Sequence, residues 1–395
     1  MKNNLITYHQ EHLLTYVKEL DSNELDELAN DISKIDFKLM NKLYLDSFKN
    51  TPFDFSKCEP CIHIKEETKT QDNAIKLIKN NGYAICIMAG GNGSRLGYNG
   101  PKGCVKLKIK NKEISLFEIY LNKLKEIYSK YKVYIPIYIM TSTINNEETI
   151  KFFEDNQYFD YPKNKIKFFV QDNLPILNTK GKILLKDKSH ILFGPNGNGN
   201  VFLSLKKNKL LRDMQNKKVK YVLFMGIDNV LAKPLDLNLL EIIIKNNYHL
   251  ISKSITKTSD TDMAGVFCKY NGLPSVISGD YITKEINNLK DSNGYMYRDK
   301  NAVYHIIEIN EIKKYANLDL KYHRAYKKTK YLDLLGNYVN PDKPNSYKYE
   351  RFIYDAFKYT KEMYLYPIKE DEFMHIKTKE DLLKVEKYLN KEIWQ

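Results

Sequence analysis

Short apolar runs alternate with helical patterns through the middle of the chain. Six of these runs are flanked by polar or glycine-containing segments: YAICIMA (83–89), VYIPIYIM (133–140), KIKFFVQ (165–171), KYVLFMGID (220–228), HLISKSI (249–255) and GVFCKY (265–270). The segment TIKFFEDN (149–156), after the second run, has the apolar spacing of a helix. Apolar strands that alternate with helices predict an α/β domain, whose mixed, mostly parallel sheet carries helices on both faces. In such sheets ligands bind beyond the carboxyl ends of the strands.

The two ends of the chain have a different pattern. Apolar side chains recur at helical spacing in two early sets: Leu13, Leu14, Val17 and Leu20, and then Leu25, Leu28, Ile32 and Ile35. Asp21 and Glu24 have the spacing of a capping box at the start of the second helix. Prolines and weak periodicity over 51–72 indicate a connection, and a helix is expected near 73–80. We therefore predict an N-terminal helical region (1–75), a central domain (76–335) and a short C-terminal region (336–395) that completes the site.

Composition narrows the class of protein. The chain has 395 residues, of which 43% are apolar, and a net charge of +14. Its mean hydropathy is −0.53 and no run approaches a membrane span, so we expect a cytoplasmic protein without membrane contact. Only five of the 63 basic residues are arginines, and they are scattered along the chain, which disfavours a nucleic-acid-binding face. The five cysteines are expected to be reduced; Cys58 and Cys61 have CxxC spacing but no second pair that would complete a zinc site.

A glycine-rich segment follows the first apolar run. It reads MAGGNGSRLG from Met88, and Pro101 and Lys102 come shortly after it. Glycines allow the backbone to approach phosphate oxygens closely, and successive N–H groups can then surround the anion. The segment is neither a Walker A loop nor GxGxxG. A sharp strand-to-helix turn would also use glycines, but Arg95 and Lys102 add the positive charge that a polyphosphate requires.

One carboxylate is placed at a strand end. Asp228 ends the KYVLFMGID run, where a carboxylate can face the site and bind Mg²⁺ together with phosphate oxygens. The alternative is that Asp228 only caps the next helix.

These motifs carry a resemblance to a known family. AGGxGSRLG followed by PK resembles the signature of sugar-1-phosphate nucleotidyltransferases, and in particular the eukaryotic UDP-N-acetylhexosamine pyrophosphorylases. Further blocks match in the same order along the chain: QEHLL (10–14), MTS (140–142), TIKFF (149–153), FFVQ (168–171), GPNGNG (194–199), Asp228–Asn229, Tyr322–His323, KYERFIYD (348–355) and Glu372–Phe373 with Lys377. The resemblance implies a Rossmann-like, GT-A-like nucleotidyltransferase fold.

The resemblance also implies a reaction. UTP and N-acetylglucosamine 1-phosphate would give UDP-N-acetylglucosamine and pyrophosphate, by in-line attack of the sugar phosphate on the α-phosphorus with Mg²⁺, or Mn²⁺ in its place, as cofactor. Catalysis of this kind rests on positioning and on electrostatic stabilisation. Nucleic acid is not an expected partner.

Residue roles follow from matched positions. Arg95, Lys102 and Lys377 are the predicted catalytic residues. Nucleotide binding is predicted for Met88, Ala89, Gly90, Gly91, Lys102, Gln171, Gly197, Asp228, Lys348 and Lys377, with Gln171 and Gly197 at the uracil ring and Asp228 also as the metal ligand. Sugar binding is predicted for Asn198, Ser278, Gly279, Tyr304, Phe352 and Tyr354. Phe352 and Tyr354 would point the same way on a strand, although packing in the core is the alternative.

The chain departs from the family pattern on the sugar side. Asn196 and Asn200 replace an Asp and a Gly of the family turn, Ser278–Gly279 replaces Glu–Tyr, and Tyr304 stands where an Asn is usual. The alternatives are therefore a UDP-glucose or broad-specificity UDP-sugar pyrophosphorylase, or a weakly active nucleotide-sugar-binding homologue. Beside the family pattern, we expect the additional C-terminal domain to be reduced here, which would favour a monomer.

Overall fold

Two units built from interleaved parts of the chain make up the computed structural model. The model describes residues 2–49, 54–64, 68–259, 265–277, 282–292, 294–369 and 372–391. The smaller unit comprises Met1–Pro52, Asp172–Asn200 and Leu320–Phe352, and the larger unit comprises Phe53–Gln171, Val201–Asp319 and Ile353–Gln395. This division replaces the three consecutive regions predicted from the sequence. A linear reading missed it because strands distant in the chain pack with the N-terminal helices.

The predicted apolar runs form the central sheet of the larger unit. Its seven long strands are β1 (Tyr83–Met88), β2 (Ile137–Thr141), β3 (Ile166–Val170), β4 (Tyr221–Gly226), β5 (Leu250–Thr256), β6 (Asp299–Glu308) and β7 (Tyr364–Ile368). The order across the sheet is Ile62–His63, β7, β5, β6, β4, β1, β2, β3. Strands β4, β1, β2 and β3 are mutually parallel, whereas β6 runs antiparallel to β4 and β5. Every residue of β1 is buried, so both faces of the sheet are covered there, as the α/β prediction requires.

Helices and short strands complete the larger unit. The α-helices are Asp72–Lys79, Leu116–Tyr131, Asn146–Asp155, Val201–Lys207, Leu210–Asn216, Leu237–Lys245, Lys284–Asn288, Ile309–Tyr315 and Lys379–Lys391. The 3₁₀ turns are Phe55–Lys57, Ser94–Leu96, Lys102–Cys104, Gln157–Asp160, Lys163–Lys165 and Ile353–Tyr359. The short strands are Cys58–Glu59, Val266–Tyr270 and Leu273–Ile277, the hairpin Lys106–Ile109 and Lys112–Ser115, and the pair Lys290–Asp291 and Gly294–Tyr295. Local sequence explains the helix starts: Ser115 and Asp236 each accept a hydrogen bond from the backbone three residues later.

The smaller unit joins the N-terminal helices to short strands. Its helices are Lys2–Thr7, Ser22–Ser33 and Phe37–Asp46, and its 3₁₀ turns are Glu11–Leu14 and Asn198–Asn200. Its strands are Asn173–Pro175, Leu177–Asn178, Phe193–Pro195, His323–Lys327, Tyr331–Leu332, Tyr338–Val339 and Ser346–Glu350. The capping box of Asp21 and Glu24 is present, but the Leu13–Leu20 pattern forms only a 3₁₀ turn followed by further turns. Gln10, the first residue of the QEHLL block, connects the N-terminal segment to the 181–183 backbone. Its Nε2 donates to the Gly181 carbonyl, and its Oε1 accepts from the Ile183 amide.

The structure also bears on two other predictions, the strand that carries Phe352 and Tyr354 and the membrane spans. The strand predicted to carry Phe352 and Tyr354 ends at Glu350, and Tyr354 lies in the Ile353–Tyr359 3₁₀ turn, so the two rings do not alternate along one strand. The prediction failed because a β-branched, aromatic-rich run has strand-like composition in either conformation. Within the part of the chain that the structure describes, every helix is too short or too polar to cross a membrane.

Candidate active site

The ends of the parallel strands bring the predicted residues together. Gly226 pairs with Met88, and Met88 pairs with Met140, so β4, β1 and β2 finish at the same edge of the sheet. The chain passes from β1 to β2 and β3 on one side and then returns to β4 on the other side of β1. This is the kind of switch point at which open α/β sheets bind ligands. The glycine loop follows β1 and Asp228 follows β4, so both lie at the switch point.

The glycine loop is closed by its own backbone. The Gly93 amide donates to the Gly100 carbonyl at 2.8 Å, and the Lys102 amide donates to the Gly91 carbonyl at 3.0 Å. In the described ranges, the amides of Gly90, Gly91 and Asn92 donate to no acceptor. A side chain added at Gly91 would meet no atom within 4 Å. The loop therefore presents consecutive free N–H groups beside open space, as an anion site requires.

Strand β2 and the turn that follows it hold the start of this loop. The Asn145 side-chain amide donates to the carbonyls of Ala89 and Gly91 at 3.1 and 3.2 Å. The Ala89 amide donates to the Met140 carbonyl at 2.8 Å, and Met88 and Ala89 are buried. Met88 and Ala89 therefore lead into the loop as a fixed backbone segment, and their predicted contact with the nucleotide stays a prediction.

Asp228 is the centre of a charged cluster. Its Oδ2 atom accepts a hydrogen bond from Lys102 Nζ at 2.9 Å and a second, very short one from His375 Nε2. Burial by itself would raise the pKa of Asp228, but the bond and charge of His375 and the charge of Lys102 outweigh it and hold the pKa well below its usual range. Asp228 is therefore a carboxylate at any working pH. It does not act as a simple helix cap, because the next α-helix in the chain begins at Leu237.

The helix Leu116–Tyr131 fixes the turn that carries Asp228. The Tyr120 hydroxyl donates to the Asn229 carbonyl, and Lys123 Nζ donates to the carbonyls of Val230 and Ala232 at 2.5 and 3.1 Å. Burial lowers the pKa of Lys123 to about 7. Gly226 also matters, because a Cβ there would lie 2.7 Å from Asp228 Oδ1. The carboxylate is thus placed by contacts on both sides of it.

Gln171 lies directly against the glycine loop. A Cβ on Gly90 would stand 2.0 Å from Gln171 Nε2, so only glycine fits at that position. The Gln171 side chain is 5% exposed, and its Oε1 atom is buried without a hydrogen-bond partner in the described residues. A buried, unpaired amide oxygen is costly and indicates a donor supplied by a ligand.

The two remaining predicted cations of the larger unit are exposed. Arg95 lies in the Ser94–Leu96 turn of the glycine loop and forms no ion pair with the residues described. Lys377 follows His375 by two positions and its backbone amide donates to Asp381 Oδ2 at 3.0 Å. The Arg95 guanidinium and the Lys377 ammonium are therefore both accessible to a ligand.

The smaller unit holds another group of predicted residues. Gly197 has a φ of 92°, and a Cβ there would lie 2.3 Å from the Arg351 carbonyl oxygen, so the turn packs tightly on the segment after the Ser346–Glu350 strand. Asn196 is buried, and its Oδ1 atom has no partner within the described chain. Lys348 Nζ pairs with Glu350 at 2.9 Å, and a Cβ on Gly194 would lie 3.1 Å from Lys348 Cε. Asn198 and Phe352 belong to this unit and Tyr354 to the larger one.

The structure corrects the prediction for Tyr304. This side chain lies on β6, is only 2% exposed and is part of the hydrophobic core. Its hydroxyl donates to the Lys233 carbonyl at 3.0 Å. Tyr304 therefore offers no surface to a sugar, because core packing has taken both its ring and its hydroxyl. Ser278 and Gly279 lie outside the described residues.

The sequence reading missed His375. The signal was present in the EFMHIK segment (372–377), which was interpreted only for its lysine. The contact with Asp228 depends on tertiary structure, since the two residues are 147 positions apart.

A divalent cation has one carboxylate ligand available here. In the described ranges, no three His, Cys, Asp or Glu side chains are grouped to hold a metal ion. Asp228 Oδ2 carries both of the contacts described above, which leaves Oδ1 for a metal. One carboxylate oxygen beside an anion-binding loop fits Mg²⁺, which takes its other ligands from phosphates and water.

Comparison with known proteins identifies similar sequences and a similar structure. Residues 37–392 match the UTP–glucose-1-phosphate uridylyltransferase family. The chain is 33% identical over 370 residues to UDP-N-acetylglucosamine pyrophosphorylase of Saccharomyces cerevisiae, covering 88% of this chain and 75% of the yeast protein. It is 33% identical to a probable UDP-N-acetylglucosamine pyrophosphorylase of Encephalitozoon cuniculi, covering 72% of this chain and 77% of that protein. A similar crystal structure is that of an Entamoeba histolytica protein assigned as a UDP-N-acetylglucosamine pyrophosphorylase. It superposes with a TM-score of 0.76 at 28% identity, covering 83% of this chain and 86% of that one.

Proposed function

The chain belongs to the UTP–glucose-1-phosphate uridylyltransferase family, and we propose that it forms UDP-N-acetylglucosamine and pyrophosphate from UTP and N-acetylglucosamine 1-phosphate. The relatives named for N-acetylglucosamine support that sugar over glucose. The observation that carries the proposal is the cluster of Lys102 and Asp228 beside the free amides of Gly90 and Gly91. This cluster provides cation, carboxylate and N–H donors at one strand edge.

The chemistry follows from where these charges lie. A sugar phosphate oxygen attacks the α-phosphorus of UTP, and the bond to the β,γ-diphosphate breaks as pyrophosphate leaves. The loop amides and the side chains of Lys102, Arg95 and Lys377 stabilise the charge that accumulates on the leaving group. No covalent intermediate on the protein is required, because two bound polyanions held in line already have the geometry for displacement.

Gln171 supports the choice of a uracil base. Its unpaired Oε1 atom can accept from the N3–H of uracil, while cytosine offers no donor at N3. Gly90 keeps the backbone clear of this amide. We propose that Gln171 contacts the base. The roles of Gly197 at the base and of Lys348 at the nucleotide stay predictions from the sequence.

The sugar side rests on fewer described residues. Sugar contacts by Asn198, Phe352 and Tyr354 stay predictions from the sequence, and we withdraw Tyr304. The Ser278–Gly279 position stays a prediction from the sequence.

We also propose that Mg²⁺, or Mn²⁺ in its place, is the cofactor and that Asp228 is its protein ligand. The metal would neutralise phosphate charge when bound. Chelation is expected to stop turnover, and added Mg²⁺ or Mn²⁺ to restore it. A cytoplasmic location and a monomeric state remain predictions from the sequence, to be checked by localisation of a tagged chain and by light scattering.

A pyrophosphate-release assay tests the proposed function. Purified protein is incubated with UTP, Mg²⁺ and each of five sugar 1-phosphates: N-acetylglucosamine, N-acetylgalactosamine, glucose, galactose and mannose. The highest kcat/KM is expected with N-acetylglucosamine 1-phosphate. Turnover with glucose 1-phosphate alone would change the assignment to a UDP-glucose pyrophosphorylase. The absence of turnover with every sugar 1-phosphate would refute the proposal that the protein is a uridylyltransferase.

A further inference from the structure

His375 makes a contact that none of the predicted roles uses. Its Nε2 atom hydrogen-bonds the same oxygen of Asp228 that accepts from Lys102. The imidazole is half-buried, and the ring of Phe373 lies 5.9 Å from it, centroid to centroid. A half-buried carboxylate that accepts from two nitrogen donors on one oxygen is held in one rotamer, because movement would break both bonds.

The backbone around His375 is fastened to the same turn. The Ile376 amide donates to the Asp228 carbonyl at 3.0 Å, and the Met374 amide donates to Asn229 Oδ1 at 3.1 Å. The side chain of Ile376 is completely buried. The 374–376 segment is therefore attached to the Asp228 turn by its backbone on both sides of the histidine.

This attachment leads directly to Lys377 and the glycine loop. The amides of Lys377 and Thr378 donate to Asp381, which lies in the first turn of the helix Lys379–Lys391. At the start of that helix, the Lys379 side chain crosses Gly97, since a Cβ on Gly97 would lie 2.5 Å from Lys379 Cε. One short segment thus joins the carboxylate, the exposed Lys377 and the end of the glycine loop.

We propose that His375 is a positioning residue for the proposed reaction. Its N–H holds the Asp228 carboxylate and, through the same bond, fixes the 372–378 segment that presents Lys377. The inference rests on the proposed function for its effect on turnover. Its effect on the order of the segment is independent of that function. The backbone bonds of Met374 and Ile376 do not involve the imidazole, so variants at 375 are expected to fold.

Two substitutions separate the N–H donor from the bulk of the ring. His375→Phe keeps an aromatic ring but has no donor, while His375→Gln places an amide N–H at a similar reach. We expect His375→Phe to lower kcat at least about tenfold with KM for UTP within threefold, because the lost interaction acts on Asp228 and not on base binding. His375→Gln is expected to recover kcat to within threefold of the wild type.

A matched control is available at the opposite edge of the sheet. His249 also pairs with a carboxylate, with its Nδ1 2.6 Å from Glu308 Oε2, and Glu308 pairs with Tyr221 at the start of β4, away from Asp228. His249→Phe therefore repeats the same chemical change away from the site. It is expected to leave kcat within twofold of the wild type.

Hydrogen exchange tests the segment without substrate or metal. Peptides that cover 372–381 are expected to exchange faster in His375→Phe than in the wild type, and at the wild-type rate in His249→Phe and His375→Gln. Unchanged exchange in His375→Phe, or a His375→Gln variant as impaired as His375→Phe, would overturn the proposal. If the wild type turns over no sugar phosphate, the proposed function fails, and the exchange result still decides whether His375 holds the segment.

Discussion

Removal of the Lys102 ammonium tests the charge arrangement at the centre of the site. Lys102 begins the second 3₁₀ turn of the glycine loop, and its side chain is only 13% exposed. Its partner Asp228 is 26% exposed, so solvent screens this pair less than a surface pair. In Lys102→Ala, Asp228 keeps the bond to His375 but loses its ion pair.

The structure gives a magnitude for this loss. The ammonium lies 2.9 Å from Asp228 Oδ2, in a loop fixed by the hydrogen bond from its own amide to the Gly91 carbonyl, so it is preorganised before substrate binds. Loss of one preorganised contact to developing charge costs about 3 kcal/mol in the transition state, which is roughly 100-fold in turnover. We therefore expect kcat of Lys102→Ala to fall at least about 100-fold.

The assay is pyrophosphate release with saturating UTP and N-acetylglucosamine 1-phosphate. Lys106→Ala is the control. Lys106 follows Lys102 by four positions, its side chain is 53% exposed, and its Nζ lies 3.7 Å from Glu113 Oε2. It should keep the wild-type rate, and both variants should show cooperative thermal unfolding. A folded Lys102→Ala enzyme with less than a threefold loss would refute the reasoning, since Lys102 would then be an ordinary surface charge.

Two other predictions address the base pocket and the core. Gly90→Ala places a methyl group 2.0 Å from Gln171 Nε2, so the amide must move; we expect KM for UTP to rise about tenfold or more, and an unchanged KM would separate Gln171 from base binding. Burial lowers the pKa of His305 to about 3, below its unfolded value of about 6.5. Between these two pH values His305 is protonated in the unfolded state but neutral in the folded state, so stability falls as the pH is lowered. The wild type should therefore lose about 2 kcal/mol of unfolding free energy between pH 7.5 and pH 5 that His305→Leu does not lose. Urea denaturation at both pH values measures this difference, and parallel losses in the two proteins would contradict it.

The strands were predictable because their signals are local. The runs YAICIMA and KYVLFMGID became β1 and β4 almost as read, since an apolar run bounded by glycine or polar residues has few alternatives in a sheet covered on both faces. The glycine loop was equally readable. Its closure requires backbone freedom at positions such as Gly97, where φ is 78°, and the sequence supplies glycine there.

The division into units was not predictable from neighbouring residues. The Asp172–Asn200 segment leaves the larger unit and packs with the N-terminal helices, where Leu177, Ile183 and Ile191 share a core with Leu28 and Ile32. Periodicity places Leu28 and Ile32 on one face of a helix, but it does not show that Leu177, Ile183 and Ile191 cover that face. Burial depends on which surfaces meet, and that is a property of the whole fold.

The sequence alone therefore determined the strands of the central sheet and the position of the glycine loop, because motif spacing and apolar periodicity are written along the chain. The roles of Arg95, Lys102 and Asp228 stay predictions from the motif and the strand end, and that of Lys377 stays a prediction from the family resemblance. Only the tertiary structure decided that Tyr304 is buried in the core, that Gln171 Oε1 is buried without a partner, and that His375 reaches Asp228. The physical reason is the same in each case. A side chain's charge, exposure and partners are set by atoms from distant strands, and no local pattern encodes which strands become neighbours.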